Sequence, residues 1–126
     1  MIRSFGIAAA SLGAAAVALG AFGAHALRGH IDDAALQVWH TAVEYQFWHG
    51  LALLAVAGFA PAHGARWWRA SGIAFIAGIV MLCGSLYALA LGAPHMVGAV
   101  TPLGGIALIL GWIMLGIAFR RDFPRV

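Results

Sequence analysis

Four apolar runs, Phe5–Leu27, Leu36–Phe59, Gly72–Leu91 and Leu103–Phe119, follow one another along the chain with short polar stretches between them. A membrane-spanning helix needs about 20 predominantly apolar residues, and each run meets that length. The pattern predicts an all-α membrane protein, a four-transmembrane-helix bundle with short loops, and one domain over residues 1–126. The second run departs from the other three. Its stretch Trp39-His-Thr-Ala-Val-Glu-Tyr-Gln-Phe-Trp-His49 sets ionisable and hydrogen-bonding side chains inside apolar surroundings. At about 100° per residue, His40, Thr41, Glu44, Tyr45, Trp48 and His49 fall on one half of the helix. Trp39, Ala42, Val43, Phe47, Gly50, Leu53 and Leu54 fall on the other, with Gln46 as the polar exception. The expectation is a two-faced helix whose apolar half meets lipid and whose polar half meets protein or water, because a charged side chain at the bilayer centre costs about 2.5–3.5 kcal/mol or more.

Composition reinforces the membrane reading. The 126 residues are 63% hydrophobic and 9% charged, with mean hydropathy +0.95, whereas soluble domains carry about 25% charged residues. Little chain remains for a separate soluble domain. The net charge of +3 changes the picture only through its placement. If the four spans alternate, Arg3, Arg66, Arg69, Arg120, Arg121 and Arg125 share one side and only Arg28 takes the other. Basic residues favour the cytoplasmic side, so the expectation is a multi-pass membrane protein with both termini cytoplasmic and the 27–35 and 92–101 loops outside. Cys83 is the single cysteine, which excludes an internal disulfide and a thiolate metal cluster. Arg3, the apolar run after it and Ala24-His25-Ala26 imitate a cleavable signal. Its h-region, however, exceeds the usual 7–15 residues, so this run is read as a retained span.

Taken in order, the first span is built of Ala, Gly, Val and Leu, with Gly6, Gly13 and Gly20 seven apart, and small residues let membrane helices approach closely. His25 sits near its outer end. Asp32 and Asp33 open the second span as helix-capping acids. Asp33, Gln37, His40 and Glu44 follow at spacings of 4, 3 and 4, a polar stripe descending from the outer surface. With Trp39 taken as a headgroup marker, Glu44 would lie ~7–8 Å below that level and His49 ~15 Å. The connection Pro61-Ala-His-Gly-Ala-Arg-Trp-Trp-Arg69 reads as a basic, aromatic inner-leaflet anchor, and nucleic-acid binding is not expected of it. In the third span Ser71, Ala74, Gly78 and Ser85 form a small-residue stripe. Ser85 and Tyr87 rise to about the depth of Glu44 and are expected to meet it. Thr101-Pro102 is expected to open the fourth span as cap and first turn.

Five ordered motifs, Gly20-Ala-Phe-Gly-Ala-His-Ala-Leu27, Glu44-Tyr-Gln46 with His49, Gly84-Ser-Leu-Tyr87, Thr101-Pro-Leu-Gly-Gly105 and Gly111-Trp112, resemble the bacterial inner-membrane proteins grouped as domain of unknown function 423, to which animal transmembrane protein 256 is similar. The resemblance spans all four apolar runs and implies a four-helix inner-membrane protein. It implies no reaction. Its motif positions include His25, Glu44, Tyr45, Gln46, His49, Ser85, Tyr87, Thr101 and Pro102.

Three functional readings are open at this level. In the first, the protein is non-enzymatic. A polar pocket in the outer half of the bundle, built from His25, His40, Glu44, Tyr45, His49, Ser85, Tyr87 and Thr101, binds a small or lipid-like ligand, or seats a partner subunit or a further copy of the chain. In the second, a small proton-coupled transporter uses Glu44 as its proton-exchanging group. The third is a haem-bearing subunit, for which only His25 and His40 approach matched depth on facing helices. It is set aside, and no cofactor is expected. There is no HExxH and no compact ligand spacing for zinc, and no Gly-rich phosphate loop. A triad of Ser85, His49 and Glu44 lacks an oxyanion hole.

Overall fold

The computed structural model describes residues 1–123. Arg125, which the charge count above places with the other arginines of its side, lies outside the described residues. Helix α1 (Ile2–Phe22) runs into a π-helical turn, Gly23–Leu27. After a tight connection through Gly29, α2 (Asp33–Phe59) descends. The Asp32 carboxylate caps it, accepting from the Ala35 N–H at 2.7 Å, and the chain turns extended at Ala60, ahead of Pro61, because Pro disfavours helical backbone in the residue before it. Helix α3 (Arg66–Gly78), a π-helical turn Ile79–Cys83 and α4 (Gly84–Ala90) form one ascending rod. A short 3-10 turn, His95–Ala99, leads into α5 (Val100–Asp122).

Three of these rods, Ile2–Leu27, Arg66–Ala90 and His95–Asp122, are long and apolar enough to cross a membrane. The fourth, α2, is 27 residues long, and its polar side chains are what set it apart. Helix α1 packs along α2, α2 packs against the α3–α4 rod, and that rod packs along α5. The start of α1 and the end of α5 lie at one end, where Phe5 meets Gly72 and Phe59 meets Phe119.

Close approach between the third and fourth rods is built from small residues, as the Ser71–Gly78–Ser85 spacing predicts. A Cβ added at Gly104 would collide with the Leu82 backbone, so at this crossing the α5 backbone lies directly on the π-helical turn. About two turns along α5, the Ser71 hydroxyl donates to the Gly111 carbonyl at 2.8 Å.

Two boundaries differ from the sequence reading. Trp67, Trp68 and Arg69 belong to the first turn of α3 and not to the loop before it. Trp68 is fully buried, and its Nε1–H donates to the Asp122 carboxylate at 2.6 Å, an anchorage that extends the helix past its apolar run. Thr101 is not the cap of the fourth span. The chain is already helical from His95, and Thr101 lies within the first turn of α5, where Pro102 is tolerated because the first N–H groups have no intrahelical partner.

Candidate functional site

The buried face of α2 is Trp39, Ala42, Gln46, His49, Gly50, Ala52, Leu53 and Val56. Read as 39, 42, 46, 49, 53 and 56, it is a heptad-like seam with spacings of 3 and 4, the pattern of a helix packed into neighbours along one stripe. This turns the expected faces part of the way around the helix: Phe47 and Leu54 are exposed and His49 is buried, as expected of their halves, but four residues of the expected lipid-facing half are buried. Those four, Trp39, Ala42, Gly50 and Leu53, face protein, while Glu44 and Trp48 are exposed. Glu44 stands about 180° around the helix from Leu53 at ~100° per residue.

Trp39 does not mark the headgroup level. It is 4% exposed, its Nε1–H donates to the Leu19 carbonyl at 2.9 Å, and its ring meets Tyr87 edge-on with centroids 4.6 Å apart. A Cβ at Gly23 would fall 2.6 Å from the Trp39 ring, so the glycine in the π-helical turn makes the room this indole occupies. Counted along α2, Glu44 lies eleven residues, about 16 Å, from Asp33 at the start of the helix, about half the ~30 Å thickness of a hydrocarbon core.

The polar side chains assort into separate clusters. Gln46 is the hub of the first: its Nε2 donates to the Leu12 carbonyl of α1 at 2.9 Å, and its Oε1 accepts from the Tyr87 hydroxyl of α4 at 2.8 Å. This bridge ties three rods together. In the second, the Ser85 hydroxyl lies 2.6 Å from the Thr101 hydroxyl and also donates to the Leu82 carbonyl at 2.9 Å, joining α4 to α5. In the third, His49 is buried, with Nδ1 2.7 Å from the Tyr45 carbonyl of its own helix. Its ring stacks on Tyr45 at 5.6 Å and lies 6.0 Å from both Phe75 and Trp112.

Of the eight side chains expected to share a pocket, the structure thus brings together Ser85 with Thr101 and Tyr45 with His49, and gives Tyr87 to Gln46. His25 is exposed at the outer end of α1, and His40 is half-buried. Glu44 does not meet Ser85 or Tyr87, because those two serve the buried seam while Glu44 projects from the opposite side of α2. Ser85, His49 and Glu44 accordingly share no hydrogen bond. Among the described residues, no three His, Cys, Asp or Glu side chains come together in a way that could hold a metal ion.

Glu44 opens instead into a groove of about 380 Å³ between α1 and α2, lined by Ala16, Val17, Gly20, Ala21, Val43, Glu44, Phe47 and Trp48. Small residues of α1 make its floor, and the aromatic rings of Phe47 and Trp48 make one wall. The carboxyl is the only ionisable group in that lining. Gln46 was the residue most easily missed, since a lone polar side chain on an apolar face looks like an exception until the 3-4 spacing identifies that face as the buried one.

Comparison with known proteins agrees with this architecture. Residues 19–105 match the family described as a protein of unknown function, DUF423, a stretch that takes in every residue of the clusters above except Leu12 and Trp112. The chain is 49% identical over 104 residues to the UPF0382 membrane protein YwdK of Bacillus subtilis, covering 82% of this chain and 85% of that protein. It is 46% identical over 105 residues to a UPF0382 membrane protein of Staphylococcus aureus, with 82% and 84% covered, and 43% identical over 103 residues to one of Staphylococcus epidermidis, with 82% and 84% covered. No solved structure matches the chain. A helical chain of apolar rods that shares this much sequence along this much of its length with those proteins belongs to the DUF423 family of UPF0382 membrane proteins.

Proposed function

We propose that this protein is a non-enzymatic inner-membrane binding protein, and that the lateral groove between α1 and α2 receives a lipid-like molecule carrying a cationic or hydrogen-bonding group for Glu44. One observation carries the reading: the single carboxyl distant from any helix end stands exposed, about 16 Å below the outer end of α2, in a groove otherwise lined by apolar side chains. A carboxyl at that depth is costly unless something answers it. The buried clusters offer it nothing, because Gln46, Tyr87, Ser85 and Thr101 are satisfied among themselves. A ligand arriving laterally through the bilayer reaches the groove without crossing the bundle. The asymmetric arginine distribution supports an orientation with both termini cytoplasmic.

The test is native mass spectrometry of the intact chain released gently from its own membrane, beside Glu44→Gln and Glu44→Leu. The expected result is a retained adduct of lipid-like mass on the wild type that is weakened by Gln and lost with Leu. An intact chain free of adducts, or an adduct indifferent to both substitutions, overturns the reading. A second reading, a proton-coupled carrier, draws on the same lone carboxyl. It predicts proton flux into vesicles holding the protein at an imposed substrate gradient, abolished by Glu44→Gln.

A further inference from the structure

At the end of the bundle that holds the start of α1 and the end of α5, the arginines of α3 and α5 converge on one aromatic ring. The guanidinium carbons of Arg66 and Arg121 each lie 5.6 Å from the centroid of the Trp67 ring, within the ~6 Å at which a cation is drawn to an indole face. Arg66 comes from the first turn of α3 and Arg121 from the last turn of α5. Rods distant in sequence therefore deliver two cations to one place. Among the described residues neither guanidinium is paired with a carboxylate. The nearest acid in sequence, Asp122, accepts from the buried Trp68 indole at 2.6 Å. Trp67 itself carries an unanswered donor: its Nε1–H is shut off from solvent and meets no acceptor among the described residues. The α3 N-terminus beside it has no side-chain cap.

We infer that Trp67, Arg66 and Arg121 form a discrete binding site for the phosphate of an anionic phospholipid. The chemistry fits term by term. Guanidinium groups recognise phosphate oxygens through paired, charge-assisted hydrogen bonds. An indole at headgroup level suits a ligand with a charged head and an apolar tail. A phosphodiester oxygen drawn in between the two arginines is the acceptor the Trp67 N–H lacks once either flexible arginine swings off the ring. The positive end of the α3 dipole adds to the attraction. A general basic fringe would hold any anionic surface loosely; two cations brought to one ring from two rods hold one lipid at a stated place. This site lies at the opposite end of the groove-bearing rods from the polar outer ends and does not depend on Glu44.

The experiment titrates the detergent-solubilised full chain with phosphatidylglycerol or phosphatidylcholine of matched acyl chains and counts bound lipid by native mass spectrometry. Single-lipid occupancy by phosphatidylglycerol should exceed that by phosphatidylcholine, and Arg66→Gln with Arg121→Gln should weaken its binding roughly a hundredfold, about tenfold for each guanidinium lost. Trp67→Phe, which keeps a ring and removes the N–H, should lower it severalfold, while Glu44→Gln should leave it unchanged. Thermal melting of each variant without lipid establishes that it is folded, and Arg66→Lys with Arg121→Lys serves as the charge-preserving control, expected to retain part of the preference. Equal occupancy by the two lipids, or a double Gln variant that binds phosphatidylglycerol as the wild type does, overturns the site. Displacement of phosphatidylglycerol by millimolar inorganic phosphate would show that the free anion suffices and would overturn the assignment to a lipid.

Discussion

Gln46 and Glu44 are two residues apart on the same helix, both polar and both near the middle of α2, yet their surroundings are opposite. Gln46 is 4% exposed and bonded at both ends, to the Leu12 carbonyl and the Tyr87 hydroxyl. Glu44 is exposed and opens on an apolar groove. Two residues amount to about 200° of rotation, enough to move from a packed seam to the lipid-facing side. The contrast teaches that polarity in a membrane helix does not by itself mark the interior. A neutral amide whose donor and acceptor are both used is an acceptable bundle component, because the hydrogen bonds replace the water it lost. A carboxyl with no protein partner is the residue left over, and a functional account has to begin with it.

The comparison can be broken most severely from the packed side. Gly104→Leu should prevent assembly of the third and fourth rods, because even a Cβ there meets the Leu82 backbone, and overpacking of this kind costs about 1–3 kcal/mol and occasionally more. Thermal unfolding in detergent should show the variant aggregated or strongly destabilised. A normal melting curve would mean that the two rods are not in this register.

Gln46→Leu removes the hub while leaving volume in place. It strands the Tyr87 hydroxyl in the interior, so a loss of about 1–3 kcal/mol is expected. A double-mutant cycle with Tyr87→Phe isolates the bond itself, and side-chain hydrogen bonds inside membrane bundles couple by about 0.6 kcal/mol, up to ~1.7. Additive effects of the two substitutions would show that the bridge does not form. Ser85→Ala should be milder, about 0.6 kcal/mol, since it removes the bond to a Thr101 hydroxyl that is only half-buried.

Much of this architecture was legible beforehand, and the places where it was not share one cause. Four apolar runs translate directly into four rods, and the small residues Ser71, Gly78 and Ser85 announce the contact with α5. The capping role of Asp32 also follows from the sequence alone and is observed. The faces of α2 are turned from the expected halves, with Trp39, Ala42, Gly50 and Leu53 buried, because the expectation lets hydropathy decide which side meets lipid. In water that rule holds, but in a bilayer both sides of a helix meet apolar surroundings, and the discriminator becomes spacing and fit. Trp39 shows the same error at one residue: an indole reads as an interface marker, whereas here a glycine in the adjacent rod makes a slot for it and the Leu19 carbonyl takes its N–H. No pattern in the sequence reveals a π-helical turn, so the slot was invisible. The expected single pocket dissolved for a related reason. Matched depth does not make side chains meet: helix rotation divides five of the eight among three clusters and leaves His25, His40 and Glu44 outside them.

The smallest expected effect is the one that sharpens the contrast most. Glu44→Leu should leave thermal stability in detergent within about 0.5 kcal/mol of the wild type, as for surface substitutions that touch no packed partner, even as it abolishes the proposed ligand adduct. Such a result would separate binding from folding: the seam through Gln46 would hold the bundle together, and the groove at Glu44 would be free to serve another molecule. A loss above about 1 kcal/mol would instead place Glu44 among the supporting contacts, since a loss of that size requires a named packing or hydrogen-bonding partner. The groove would then be a face covered by protein in the assembled state, and the search would move from lipids to a partner subunit that reaches between α1 and α2.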